Sequence, residues 1–255
     1  MATTASAYIH HHLQHWQATV PGGWVINLDT ILLSTGLAVL FWLIMRMVVL
    51  RFSIEKPTKT QIVVEELVVF VRQQVGGNLP PELLSSVGAL ALTVFAWVFL
   101  MNCMDLVPVD LLPVLAMALG SEYFRPVPTA DLNVTFALSI GVMLVVYVHA
   151  FRANGILGWL RETLSQPFGW YLFPVNVIKH LITDLAKVIS LSLRLFGNLY
   201  GGELIFILIA GLVPYALQAV PYWGWMTLHL LIVTLQAFIF MILSVIYIAL
   251  ARQGH

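Results

Sequence analysis

Charge is what this chain of 255 residues has least of. Asp, Glu, Lys and Arg together make up 9% of it, and 12 basic residues balance 12 acidic ones. A soluble domain carries about a quarter charged residues and about half apolar ones, whereas here 60% are hydrophobic and the mean hydropathy is +0.92. Zero net charge gives no electrostatic footprint for nucleic acid. The single cysteine, Cys103, lies in an apolar run, which excludes an internal disulfide framework and a cysteine-ligated metal site. No G-x-x-x-x-G-K-[ST], H-E-x-x-H or G-x-S-x-G is present, so chemistry on ATP, peptides or esters has no recognisable carrier and no cofactor is expected. The first 28 residues contain no Lys or Arg and no apolar core. They read as an aqueous tail with a histidine cluster rather than as a signal peptide.

What is present is long apolar runs, and they predict an all-α polytopic membrane protein forming a single membrane domain. Five segments, approximately 30–50, 86–107, 132–151, 170–213 and 225–251, are long enough to cross about 30 Å of hydrocarbon. Between the first two, "KPTKTQIVVEELVVFVRQQVGG" sets valines and leucines at helical spacing against Glu65, Glu66 and Arg72, which predicts an interfacial amphipathic helix. Arg51, Lys56, Lys59 and Arg72 follow the first span, Arg152 and Arg161 the third, and Arg252 the fifth, while the loop after the second has only Arg125. The positive-inside rule then places the N-terminus outside and the C-terminus in the cytoplasm. The fourth segment, at about 1.5 Å per residue, extends roughly twice the hydrocarbon thickness. It either begins as a cytoplasmic amphipathic piece or lies steeply inclined. "PYALQAVPYWGW" joins it to the fifth, with Pro214 and Pro221 expected as breakers.

The fourth segment also contains a polar constellation. Arg194 lies within about 40° on the helical wheel of Ser190, Asn198 and Gly201. An arginine at membrane depth is costly. Snorkelling past Lys187 is one account of it, and close packing of helices is an account of the Gly197/Gly201 pair. Taken together, a glycine-lined face bearing a cation suits a close-passing partner helix that carries an anion. Glu203 is about 180° round the helix from Arg194 and cannot pair with it. His229 and Gln236 share a face of the fifth segment, and a carboxylate with an imidazole at membrane depth are components of a proton relay. Asn102, Asp105 and Asp110 at the end of the second span, with Asp131 and Asn133 at the start of the third, are candidates for an outer vestibule that attracts cations. Helix capping by Asp131 and a turn at Pro108 account for them as well.

"LRLFGNLYGGELIFILIAGLVP" followed by "LHLLIVTLQAFIFMILSVIYI" closely resembles subunit a of the bacterial F-type ATP synthase. "INLDT", "FAWVFLMNCMDLVPVDLLP" and "VPTADLNVT" resemble earlier segments of the same family in the same order, so the likeness runs from about Ile26 to Ala251. The resemblance implies a non-catalytic stator subunit of a multi-subunit complex in the bacterial inner membrane. Its last two helices would lie steeply inclined against a rotating ring of c subunits, and b subunits of the peripheral stalk would be further partners. It assigns Arg194 to the ring carboxylate and to preventing leak between two offset half-channels. Glu203 and His229, with Asn198 and Gln236, would line the periplasmic path, and Ser190 the cytoplasmic side. Many relatives carry a glutamate fourteen residues before the arginine; here that position is His180, with Asp184 one turn on. The exit residue therefore departs from the family pattern.

Overall fold

The computed structural model describes residues 13–77, 79–108, 111–118 and 123–253; His10, His11, His12 and Asp110 lie outside this set. A short antiparallel hairpin, β1 (Gln17–Val20) and β2 (Trp24–Asn27), precedes seven α-helices among the described residues. These are α1 (Leu28–Leu50), α2 (Lys59–Gly76), α3 (Leu84–Cys103), α4 (Leu111–Ala118), α5 (Leu132–Ser165), α6 (Phe173–Leu212) and α7 (Ala219–Gln253). Five of them, α1, α3, α5, α6 and α7, are long and apolar enough to cross a membrane. The all-α membrane architecture expected from the apolar runs is therefore present.

Side-chain chemistry accounts for the helix boundaries. Pro57 precedes α2, and the Thr58 hydroxyl accepts from the Gln61 amide at 3.2 Å, occupying one of the donors a helix start leaves open. The Gln61 side chain then donates to the Ser53 carbonyl at 3.0 Å and to Glu65 at 2.7 Å, which ties the linker to the helix. Asp131 caps α5 by accepting from the Asn133 amide at 2.9 Å. The third span runs past 151 because the helix continues beyond Arg152 and kinks at Gly155, whose φ of 68° is open to glycine at little cost. Pro221 does not break the last helix. It sits in the first turn of α7, where the missing amide hydrogen has no intrahelical partner to lose.

The core lies where α3, α5, α6 and α7 meet. Met101, Leu191, Leu195, Leu199, Phe240 and Met241 are among its fully enclosed side chains. By contrast, α1 buries only Asp29, Thr30 and Val48, and touches the bundle through the Trp97 indole, which donates to the Ser34 carbonyl at 2.9 Å. Its remaining apolar surface, including Leu32, Val39 and Trp42, is exposed, as suits a helix solvated by lipid. At about 1.5 Å per residue the 40 residues of α6 extend about 60 Å. This length gives one helix a buried polar group near one end and a second polar cluster near the other.

Candidate functional site: a buried ionic cluster and an exposed arginine

Five helices and one extended segment converge on a set of buried ionisable side chains. Asp29 stands in the first turn of α1, Asp105 in the single turn of 3-10 helix after α3, and Asp131 at the start of α5. Glu203 projects from α6 and His229 from α7, and both are enclosed, at 3% and 0% exposure. Arg125, in the extended segment before α5, enters this cluster at 5% exposure. Its Nε lies 3.0 Å from each Glu203 oxygen, and Nη2 bonds to the same carboxylate. Its backbone amide donates to Asp29 Oδ2 at 3.0 Å, and its guanidinium lies 5.3 Å from the Tyr200 ring centre. Burial works against the Arg125 cation, but its bonds to Glu203 outweigh that, and its pKa lies above the ordinary arginine value.

Four carboxyl groups thus surround one guanidinium, with His229 and His15 as the remaining basic groups. His229 Nε2 comes within 2.6 Å of Asp105 Oδ2, without the alignment of a hydrogen bond. The imidazole is clamped between aromatic rings, stacked 5.8 Å from Trp225 and edge-on to Phe206 at 5.5 Å. Gly202 makes its seat possible: a Cβ there would stand 2.0 Å from His229 Cε1. The Trp225 indole donates to the Gly202 carbonyl at 3.3 Å and closes the pocket. Such a cluster has fewer cations than carboxylates, so protons must reside on it if its charge is to stay near balance.

Glu203 and His229 therefore do not touch through one shared bond; each has its own partner, Arg125 and Asp105. Asn198 donates to Gln236 Oε1 at 2.7 Å and links α6 to α7 at the level between this cluster and Arg194. Asn102 is wholly buried, with both side-chain polar atoms unpaired among the described residues. Asp131 accepts from Asn133 and also from Asn27 at 2.7 Å, so it is both a helix cap and a tie to the N-terminal hairpin.

Arg194 is placed quite differently. It is exposed near the middle of α6, and its one hydrogen bond among the described residues is to Ser190 Oγ at 3.4 Å. Asn198 and Gly197 are exposed on the same face, and a Cβ added at Gly197 or Gly201 would meet nothing within 4 Å. The GxxxG face is thus not used for packing among the described residues.

Toward the other end of α6, Tyr147 donates to Asp184 Oδ2 at 2.6 Å and Lys187 Nζ lies 2.9 Å from Asp184 Oδ1. Lys187 also rests 5.7 Å from the Tyr247 ring centre, so this cluster joins α5, α6 and α7. His180 is one turn before Asp184, and its Nε2 is buried without a partner among the described residues.

Comparison with known proteins identifies the family. A family model described as ATP synthase A chain matches residues 30–249. The ATP synthase subunit a of Coxiella burnetii (strain RSA 493 / Nine Mile phase I) is 48% identical over 259 residues, covering 99% of this chain and 97% of the relative. That of Aeromonas salmonicida (strain A449) is 45% identical over 255 residues, covering 100% and 98%. That of Shewanella sediminis (strain HAW-EB3) is 44% identical over 264 residues with the same coverage. With matches that run from end to end, the chain belongs to the ATP synthase A chain family, multi-pass membrane proteins of a multi-subunit, proton-transporting ATP synthase.

Proposed function

We propose that this chain is the stationary proton conductor of an F-type ATP synthase in a bacterial inner membrane. Two offset half-channels would lead protons to and from carboxylates on a rotating c-subunit ring, without cofactor or catalysis by this chain itself. The observation that carries this reading is Arg194. A guanidinium exposed on a glycine-lined face of a membrane helix, with no carboxylate beside it among the described residues, calls for an anion from outside the chain.

The geometry supports a path on either side of it. Glu203 lies about 13 Å from Arg194 along the axis of α6, and Asp184 about 15 Å away in the opposite direction. Protons from the periplasmic side would enter the cluster of Asp29, Arg125, Glu203, Asp105 and His229, and pass the Asn198–Gln236 pair to the ring carboxylate. They would leave past Ser190 toward His180 and Asp184. Arg194 would attract each ionised carboxylate, forcing release before passage and barring a direct leak. A proton crossing 100 mV supplies about 2.3 kcal/mol, and that energy turns the ring only if no proton crosses without rotation. The N-terminus would face the periplasm and the C-terminus the cytoplasm, with b subunits holding the assembly against rotation and lipid covering α1. Purification of the complex from native membrane is the test. A ring of small two-helix subunits should accompany the chain, and a chain that purifies as a self-sufficient transporter would refute the reading.

A further inference from the structure

The N-terminal segment brings a side chain into the ionic cluster that neither the relay nor the exposed arginine accounts for. His15 stands just before β1, and its position is fixed from three sides. The neighbouring Trp16 amide donates to Asp29 Oδ2 at 3.1 Å, the Trp16 carbonyl accepts from the Leu28 amide at 2.8 Å, and β1 pairs with β2 directly ahead of α1. So held, His15 Nδ1 lies 3.3 Å from Asp29 Oδ2 and Nε2 lies 3.2 Å from Arg125 Nη1.

These two contacts dictate a protonation state. A guanidinium can only donate, so Nε2 must offer its lone pair and Nδ1 must carry the hydrogen that faces Asp29. The ring is therefore neutral in this arrangement. A proton added to Nε2 would set one donor against another and place a cation beside Arg125, while Asp29 would remain as its counter-ion. Among the described residues, the charged and titratable groups around the ring are Asp29 from α1 and Arg125 from the segment before α5. Behind Arg125 stand Glu203 and Tyr200 from α6 and Asp131 at the start of α5. His15 is also the member of this chain of contacts that water reaches: its side chain is 13% exposed, against 0% for Asp29, 6% for Arg125 and 4% for Glu203.

The same contacts pose a problem for conduction. Glu203 can pass protons only if its carboxylate is at times released from Arg125, and a doubly bonded guanidinium opposes that. We propose that His15 is a positioning residue at the outer mouth of the entry path, a latch that acts on Glu203 through Arg125. The neutral ring accepts from Nη1 and holds the guanidinium on Glu203. A proton from the outer water, bound at Nε2, breaks the Nη1 bond, turns the ring toward Asp29 as an ion pair, and frees Arg125 from its seat. The proton returns to the outer water when the ring resets, so His15 gates the flux without carrying it. This rests on the proposed direction of flow through the cluster.

The test uses the complete synthase in vesicles, with total proton-motive force and inner pH held constant. Outer pH is stepped from about 8 to about 5, the interval in which an imidazole changes charge. Wild type should show flux rising with outer acidity. His15→Gln keeps an acceptor for Arg125 and a donor for Asp29 but cannot take a proton. Its flux should stay at the level wild type shows at the alkaline end. Asp29→Asn removes the anion that favours the charged ring, so the acid-dependent rise should persist but move to lower outer pH. An assembled His15→Gln complex whose profile superimposes on wild type overturns the latch, as does an Asp29→Asn profile that does not move. If only one variant assembles, it decides alone. Arg194→Ala run in parallel separates the two ideas: loss of coupled flux there with no effect at His15 removes the latch and leaves the proton-conductor reading intact.

Discussion

Arg194 and Glu203 stand on opposite sides of α6. Nine residues separate them, which is about 180° of helical rotation and about 13 Å of rise. Arg194 is exposed, whereas Glu203 is buried against Arg125. One helix thus presents a free cation outward and holds a paired carboxylate inward, so nothing on its own surface joins the two. On the proposed path, a proton that reaches Glu203 would be handed across at the interface between α6 and α7, where Asn198 donates to Gln236.

The open space beside Gly197 and Gly201 gives a first prediction. Neither glycine has a neighbour within 4 Å of an added Cβ, so Gly197→Leu or Gly201→Leu should leave the isolated chain as stable as wild type. In the assembled complex either substitution should block close approach of the proposed ring and abolish coupled proton pumping. Thermal unfolding of the purified chain and pumping in vesicles are the two readouts.

Arg125 and Glu203 should behave as a unit. Removing either partner leaves the other charged and buried, at a cost of about 3–5 kcal/mol. The Arg125→Ala/Glu203→Ala double variant should lose clearly less than the sum of the two single losses. A parallel cycle between Glu203 and His229 should show weaker coupling, because each of those residues has its own partner. Unfolding in mixed detergent micelles measures both cycles.

Gly202 is a packing requirement of His229. Gly202→Ala drives a methyl group into a ring that is 0% exposed and held between Trp225 and Phe206. Overpacking of this kind costs about 1–3 kcal/mol, and displacement of the imidazole from Asp105 should reduce proton flux with it. Adding His229→Ala should recover stability but not flux, which separates the packing role from the proposed conducting one.

The parts of this site legible in the sequence are those set by helical periodicity. Arg194, Ser190 and Asn198 share a face because 100° per residue places them there, and Glu203 is excluded from it for the same reason. Arg125 carried a visible signal, as the lone basic residue in a loop with acidic residues on both sides of it, yet it reads there only as evidence for orientation. Its pairing with Glu203 spans 78 positions, and no local pattern encodes a contact of that range. His15 and Tyr147 gave still less: one sits in a polar tail and the other in an apolar run, and only the packing of β1 on α1 and of α5 on α6 reveals their partners. Pro221 does not break α7, because a proline stops a helix only from inside it.

The cluster around Asp184 yields a prediction on the proposed exit. Asp184 is held by Tyr147 and Lys187, while His180 Nε2 has no partner among the described residues. Asp184→Asn should slow ATP synthesis, and Tyr147→Phe, which removes one donor and spares the carboxylate, should slow it less. His180→Glu tests the imidazole: profiles of synthesis against cytoplasmic-side pH that coincide with wild type would show that the histidine takes no part in exit.

Coupled turnover of an Arg194→Ala complex is the most direct measurement of all. ATP synthesis and ATP-driven proton pumping are recorded in the same reconstituted vesicles as wild type, after assembly has been verified. Arg194 is exposed and, among the described residues, bonded only to Ser190, so its loss should cost the chain little stability while both coupled activities disappear and passive proton leak rises. Arg194→Lys should not restore them well, since a compact ammonium lacks the planar fork of the guanidinium. Normal coupled synthesis in the assembled Arg194→Ala complex would contradict the role given to this residue and, with it, the two-half-channel mechanism.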